Sequence, residues 1–192
     1  MRAGWIAIAL LASGCVFRNA PGPRFFRPES AALAAASEAP SAAADGVPLR
    51  LRPVLGTPLL RERIVWRASS VEYGLYEQRR WSDLPASYVK RALENALRAT
   101  PGIRLTDAPG VATLRVEVVA FDEVLAPARV ASVSLAVKLI DTGQFRIIDH
   151  TFSAEAPIAN ETPAATATAM GRALDDAVAA VATAAAERLQ AR

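Results

Sequence analysis

The sequence predicts an α/β (α+β) fold, a two-layer sandwich in which a mixed or antiparallel sheet carries two main helices on one face. The order of its patterns is the first reason. Short strand-like runs, a helix, three longer strands and a closing helix follow one another, as they do in such sandwiches. Composition is the second reason, because 21% of the 192 residues are charged and large aliphatic side chains are plentiful after position 50, which excludes global disorder.

The N-terminal residues predict export and lipid attachment. Trp5 to Ala12 (WIAIALLA) form an apolar run that is too short to cross a bilayer but typical of a secretory signal, and two small residues follow it. The only cysteine comes next, in ASGC, which resembles the bacterial lipobox, whose cysteine receives a diacylglyceryl group. We expect residues 1–14 to be a lipoprotein signal peptide and Cys15 to carry the lipid. The alternative is a structural cysteine after an ordinary secretory signal.

Residues 15–46 are interpreted as the lipidated cysteine and a disordered tether. Between positions 16 and 46, 19 of 31 residues are Ala, Pro, Ser or Gly, and no helical or alternating apolar period survives the prolines. The stretch 17–28 adds three arginines and three phenylalanines, which suits the interface of an anionic membrane. The alternative is a plain linker that happens to contain these residues.

Six runs of residues predict strands within a domain that we expect to cover 47–192. The runs are Pro48 to Val54, Arg63 to Ala68, Val71 to Glu77, Thr113 to Phe121, Ala131 to Ile140 and Phe145 to Ala154. In the fourth run Leu114, Val116 and Val118 alternate with other residues, which predicts a half-buried strand. Asp141-Thr142-Gly143 predicts a hairpin turn in which Gly143 supplies the positive φ, so the last three strands form an antiparallel meander.

Two segments predict helices. The first runs from Ser82 to Ala99, with Ser82 or Asp83 as its N-cap and Pro85 in its first turn. The second runs from Thr162 to Arg192, with Thr162 as its N-cap and Pro163 at the first helical position. Apart from Gly171 it contains no helix breaker, and its apolar positions recur at spacings of three and four with alanine as the commonest residue. We expect a long helix that packs closely across the sheet.

No catalytic, metal or cofactor site is predicted. The single histidine, His150, follows Asp149 in a predicted strand, where neighbours point to opposite faces, so the two cannot act together. Two pairs of carboxylates are adjacent in the sequence, Asp122-Glu123 after the fourth strand and Asp175-Asp176 on the last helix, where neighbours diverge by about 100°. A hydrolase stays open only if carboxylates converge in a cleft. One histidine and an acylated cysteine supply no zinc ligand set, and no glycine-rich phosphate loop is present.

The net charge argues against nucleic acid as a partner. Removal of residues 1–14 takes away one basic residue, so 21 basic residues remain against 19 acidic ones. This excess is too small to supply the basic face that phosphate binding requires.

One cluster of residues is both aromatic and basic, and it supplies the candidate partner interface. It extends from Trp66 to Trp81 and includes Arg79, and its interface candidates are Trp66, Arg67, Tyr73, Tyr76, Arg80 and Trp81. Trp, Tyr and Arg are the residue types that anchor protein interfaces. The alternative is that the two tryptophans fill the core between sheet and helix while the arginines are solvated.

The same stretch resembles the core motif of the ABC-type transport auxiliary lipoproteins. In that family a strand ending in an aromatic residue and arginine precedes a strand with spaced tyrosines, then a tryptophan, a proline four residues later and a helix. The matching positions are Trp66, Arg67, Tyr73, Tyr76, Trp81 and Pro85. The resemblance implies a non-enzymatic periplasmic lipoprotein that works with an ABC permease/ATPase complex and an MCE-domain protein in lipid transport between membranes.

The resemblance also implies a membrane address and a set of partners. Val16 follows the cysteine where an aspartate would retain the protein at the inner membrane, so the periplasmic face of the outer membrane is favoured and the inner membrane stays open. The domain would bind the MCE component or its own copies, forming a homo-oligomer. The alternative function is a lipid-binding carrier that shields an acyl chain between the sheet and the final helix, where alanines leave room.

Overall fold

The computed structural model describes residues 22–35 and 46–191. In this part of the chain nine strands and three helices follow one another. They are β1 Arg24–Phe26, α1 Ala31–Ala34, β2 Val47–Leu51, β3 Leu55–Gly56, β4 Arg63–Arg67, β5 Tyr73–Trp81, α2 Pro85–Ala99, β6 Ile103–Leu105, β7 Ala112–Val124, β8 Val130–Ile140, β9 Arg146–Pro157 and α3 Pro163–Gln190. Within these ranges none of the helices combines the length and the apolar composition that spanning a bilayer requires.

The long strand β7 organises one mixed sheet. Along one edge it pairs with β8, which pairs in turn with β9, both antiparallel. Along its other edge β7 pairs with β2, β3 and β4 in succession, all parallel. Strand β4 continues antiparallel to β5, β5 pairs parallel with β1, and β2 pairs parallel with β6. The α+β class with a mixed sheet is therefore confirmed.

Both long helices pack on the same face of the sheet. The ring of Tyr88 in α2 stacks on Phe121 of β7, with centroids 6.4 Å apart. Thr166 of α3 hydrogen-bonds Glu123, two residues further along β7. Residues two apart in a strand share a face, so α2 and α3 cover one side of the sheet, and they also contact each other.

The core follows the alternation that the sequence predicts. Leu114, Val116 and Val118 of β7 are buried, and so are four residues of β8 at every second position, Val133, Leu135, Val137 and Leu139. A register shift between Val118 and Ala120 then moves the pattern by one residue, so Phe121 comes to the helix side. The strand also continues to Val124, so Asp122 and Glu123 lie within β7 rather than after it.

Two capping predictions have different outcomes. At α3, Thr162 is the N-cap as predicted, and its side chain accepts a hydrogen bond from the Ala165 amide. At α2 the prediction of Ser82 or Asp83 is wrong, because the N-cap is Leu84 and no side chain caps it. Ser82 is engaged elsewhere, since its hydroxyl lies 2.9 Å from the Tyr88 hydroxyl. These contacts fix the entry to α2 from β5.

The predicted positive φ at Gly143 is also wrong, because the residue with positive φ in this hairpin is Gln144, at 66°. The Asp141 carboxylate accepts a hydrogen bond of 2.7 Å from the Phe145 amide. The Gln144 amide donates to the Asp141 carbonyl at 3.1 Å. This closure by Asp141 spans one residue more than the predicted turn, so the left-handed position falls one residue later.

Part of the predicted tether lies on the domain. We call residues 22–35 the strap: it forms β1 on the edge of β5 and the single turn α1 against α2 and α3. The sequence pattern missed it because the strap has no periodicity of its own and gains its contacts from distant residues. The short strands β3 and β6 were missed for the same reason. The signal peptide, Cys15 and positions 16–21 and 36–45 of the tether lie outside the described residues.

Candidate functional site

The aromatic and basic cluster lies on the ribbon formed by β4 and β5. Trp66 is opposite Gly74, and Arg67 is opposite Tyr73. A Cβ atom added to Gly74 would lie 2.1 Å from Cζ2 of Trp66, far inside van der Waals contact. Gly74 is therefore needed because the half-buried indole lies directly over its backbone. This close approach fixes the orientation of Trp66 on the helix side of the sheet.

Buried Glu123 lies on the same side and connects three elements. It is completely shielded from solvent and forms an ion pair with Arg129 in the segment between β7 and β8. The Thr166 hydroxyl of α3 donates to it at 3.3 Å. Burial raises the pKa of Tyr76, and the adjacent Glu123 carboxylate raises it further. Tyr76 of β5 is therefore a neutral phenol beside a buried carboxylate.

Asp122 points to the opposite face of the sheet and forms an ion pair with a different arginine, Arg67. Nε of Arg67 donates to Oδ2 of Asp122 at 2.8 Å. Burial raises the pKa of Asp122, and the interaction with Arg67 opposes this shift. The guanidinium of Arg67 lies 6.0 Å from the centre of the Tyr73 ring, and Tyr73 is 49% exposed. Asp122 and Glu123 therefore diverge, and each pairs with a different arginine.

A small cavity of about 240 Å³ lies beside Arg67 and Asp122 on the helix-free face. Its lining includes Leu59, Tyr73 and Ser134. The second carboxylate oxygen of Asp122, Oδ1, is buried and has no hydrogen-bond partner in the described part of the chain. The helix-free face of the ribbon therefore presents Arg67, which the buried Asp122 holds in place, beside the exposed ring of Tyr73, which suits contact with another molecule.

The last two cluster residues have different positions. Trp81 is 1% exposed and packs edge-on against Phe121, with ring centroids 5.5 Å apart. It therefore fits the core alternative and is closed to direct contact with a partner. Arg80 is half-buried and lies between Arg63 of β4 and Phe25 of β1 in the sheet register. Its neighbour Arg79 places its guanidinium 4.2 Å from the Tyr76 ring centre.

The groups that suggested chemistry in the sequence do not converge. His150 packs edge-on against Phe152, with ring centroids 5.0 Å apart, while Asp149 pairs with Arg146 at 2.6 Å. Asp175 accepts hydrogen bonds from the strap. Over the described ranges no group of three or more His, Cys, Asp and Glu side chains is arranged to hold a metal ion.

A second feature of the helix-free face was not foreseen. A groove of about 490 Å³ is lined by the cations Arg52, Arg115 and Lys138 together with Glu117 and Leu55. The residues come from β3, β7 and β8 and the segment after β2, so only the folded sheet brings them together. Their one signal in the sequence is that Arg115 and Lys138 alternate with buried residues, which marks an exposed face.

Comparison with solved structures identifies the fold. A crystal structure from Xanthomonas campestris superposes with a TM-score of 0.70 at 18% identity, covering 88% of this chain and 96% of that one. A hypothetical protein from Chlamydia trachomatis gives a TM-score of 0.57 at 10% identity, covering 77% of this chain and 99% of its own. At such identities the likeness concerns the fold alone.

Sequence comparison identifies the family. No protein with a curated description matches the sequence significantly. The family model for the ABC-type transport auxiliary lipoprotein component matches residues 31–182. This range includes the β4–β5 ribbon, both long helices except the last turns of α3, and the β7–β9 meander. The chain therefore belongs to the family of ABC-type transport auxiliary lipoprotein components.

Proposed function

We propose that this chain is a periplasmic lipoprotein, anchored by lipid on Cys15, that docks onto an ABC transporter–MCE system for lipid transport between membranes. Family membership supports the association with a transporter. The observation that carries the docking role is the β4–β5 ribbon. Its motif residues form an ordered, partly exposed aromatic and basic surface, and the nearby carboxylates are each paired with an arginine. The proposed role is non-enzymatic.

The ribbon surface consists of residues on both faces of the β4–β5 ribbon, with Arg67 and Tyr73 on the helix-free face and Trp66 and Tyr76 on the helix side. Trp66 is oriented by Gly74, Arg67 by Asp122 and Tyr76 by its position beside Glu123. Side chains that are already ordered lose less conformational entropy when a partner binds. Large aromatic side chains and arginines of this kind contribute most of the binding energy in protein interfaces. We propose the MCE-domain protein as the partner that this surface contacts, with further copies of the chain as the alternative.

The test compares Tyr73→Ala with Val71→Ala. Val71 is 88% exposed and lies just before β5, outside the ribbon surface, so its replacement is a matched control. Affinity of the full-length lipoprotein for the MCE-domain protein is measured by surface plasmon resonance in detergent. We expect Tyr73→Ala to weaken binding about tenfold, as at an interface hot spot. Equal affinities of the two variants would count against docking through this surface.

The proposed anchor has its own test. Labelled palmitate should enter the wild type and not Cys15→Ala, and labelling that persists in the variant would refute attachment at this residue. Val16 after the cysteine supports sorting to the outer membrane, which fractionation of inner and outer membranes would examine.

In the carrier alternative an acyl chain lies between α3 and the sheet, but Ala173, Ala177 and Ala185 of α3 are buried there. Co-purifying lipid in native mass spectrometry would revive that alternative.

A further inference from the structure

The strap is held on the domain by one carboxylate of α3. The Ser30 hydroxyl donates to Asp175 at 2.5 Å, and the amides of Ala31 and Ala32 donate to the same carboxylate at 2.8 and 3.0 Å. Two of these donors are amides at the start of α1, which have no partner within the helix itself. Asp175 therefore fixes the strap at the point where it turns across α3.

A close backbone approach and two more side chains hold the strap. A Cβ atom on Gly171 of α3 would lie 1.8 Å from the Glu29 carbonyl oxygen, so only glycine lets the strap cross here. Thr168 donates to the Glu29 carboxylate at 2.7 Å. From α2, Asn95 donates to the carbonyls of Ala32 and Ala35, both at 2.8 Å. The strap therefore contacts both long helices as well as β5.

Because the strap is fixed on the domain, only a short stretch of chain separates the domain from the proposed lipid anchor. From Cys15 to Gly22 there are seven peptide units, which span at most about 25 Å. If the first fixed residue were Val47, the same connection would have 32 units and could extend to about 115 Å. A lipid on Cys15 therefore keeps the β1 edge of the domain close to the membrane that holds it.

The residues at this edge suit an anionic membrane. Phe25 is 61% exposed. Arg24 is exposed on the other face of β1, with its guanidinium 5.4 Å from the centre of the Phe26 ring, and Arg27 follows Phe26. In the sheet register Arg24 lies opposite Arg79, and Phe25 lies opposite Arg80. No ion pair of Arg24 or Arg27 occurs among residues 22–35 and 46–191. Exposed arginines and an exposed aromatic ring on one short segment are typical of peptides that bind at an anionic lipid interface.

We propose that the β1–β5 edge of the sheet, through Arg24 and Phe25 of β1 and Arg27 just after it, rests on the anionic lipid surface of the membrane that holds the Cys15 acyl chains. This inference rests on the lipid anchor of the proposed function. It orients the domain, because β9 forms the opposite edge of the sheet, five strand spacings or about 24 Å away. That edge and the helix-free face then remain accessible to partners.

The test places a fluorescent label at each edge of the sheet. Full-length lipidated chains carrying Phe25→Cys or Thr151→Cys are labelled with bimane, since Cys15 is blocked by lipid. Thr151 is exposed on β9 and serves as the distant control. The chains are reconstituted in vesicles of phosphatidylethanolamine and phosphatidylglycerol that contain lipids with a nitroxide on the headgroup. We expect quenching at position 25 to exceed quenching at position 151 severalfold.

Further arms separate the possible failures. In vesicles of phosphatidylcholine, or in a chain that adds Arg24→Gln and Arg27→Gln, the excess quenching at position 25 should fall by at least half. An undiminished excess would refute recognition of anionic lipid. Chains that float with the vesicles but show equal quenching at both labels would overturn the orientation and leave the anchor intact. Chains that do not float would overturn the anchor, and the orientation with it.

Discussion

At the scale of single residues, the two carboxylates of β7 show how burial and pairing are balanced. Glu123 is completely buried and Asp122 is 2% exposed. Removing a carboxylate from water is unfavourable unless a cation and hydrogen bonds replace the water. Arg129 and Thr166 do this for Glu123. Arg67 does it only in part for Asp122, whose Oδ1 has no hydrogen-bond partner in the described ranges and whose pKa stays raised. The two buried acids therefore hold Arg67 within the ribbon surface and Arg129 beside Tyr76.

Replacing Glu123 with alanine should therefore be far more harmful than replacing Glu161. Both residues pair with Arg129, but the side chain of Glu161 is 92% exposed. We expect Glu123→Ala to lower the free energy of unfolding by about 3 kcal/mol or more and Glu161→Ala by less than about 1 kcal/mol. Urea unfolding of the two variants measures this. Similar losses would show that the buried Glu123–Arg129 ion pair stabilises the fold no more than the exposed Glu161–Arg129 pair does.

Asp122 should make stability depend on pH in a defined direction. Burial raises the pKa of this carboxyl in the folded state above its unfolded value. The folded state therefore favours the protonated carboxyl. The stability that this group contributes is complete below its unfolded pKa and is lost as pH rises through its folded pKa. An asparagine side chain cannot titrate, so the stability of Asp122→Asn relative to wild type should increase from about pH 3 to about pH 7. Urea titrations across that range measure it, and a constant or falling difference would contradict the sign.

Gly74→Ala tests the contact with Trp66. The added Cβ would overlap the indole, so the ring or the strand must move, which costs about 1–3 kcal/mol in a packed site. Gly22→Ala is the control, because nothing lies within 4 Å of its added Cβ. Stability from urea unfolding and the tryptophan emission spectrum should change in the first variant only. An unchanged Gly74→Ala protein would show that the indole is free to rotate away.

At the scale of elements, what could be predicted depends on where each element finds its partners. Strands β7 and β8 and helix α3 have long apolar periods of their own, so the pattern alone indicates them. The strands β1, β3 and β6 have two or three residues each and gain their hydrogen bonds from strands elsewhere. The same limit applies to the candidate site. Tyr73 is exposed and Trp81 is buried, and the composition of the cluster cannot predict this difference.

Two residues of α3 hold the strap through contacts that the sequence pattern does not indicate. In the sequence Gly171 resembles a helix breaker and Asp175 is half of an acidic pair, yet both contact residues near position 30. Asp175→Ala should release α1 locally, and Asp176→Ala, at the exposed neighbouring carboxylate, should not. We expect hydrogen exchange of the Ala31 and Ala32 amides to be faster by a factor of about ten or more in the first variant. Equal exchange in the two variants would contradict clamping by Asp175.

At the scale of the whole molecule, the strap joins parts of the chain that are otherwise separate. It pairs with β5 at one edge of the sheet and contacts both long helices. Phe26, Ala32 and Leu33 of the strap pack against the core. The strap therefore covers the junction between α2 and α3 and shields the end of the β5 edge, where unpaired backbone groups would otherwise invite association with other chains.

Deletion of residues 22–35 should accordingly affect both stability and solubility. The variant loses the apolar contacts of Phe26 and Leu33 and exposes the backbone groups at the end of β5. We expect a loss of about 2 kcal/mol or more, which lowers Tm by roughly 4–8 °C in a domain of this size, and association that grows with protein concentration. Calorimetry and light scattering measure the two effects on chains that carry Cys15→Ala. Deletion of residues 16–21 is the control, because it shortens the same end of the chain and keeps the strap. If both deletions left Tm and scattering equal to those of the parent, the strap would contribute nothing to the stability or solubility of the domain.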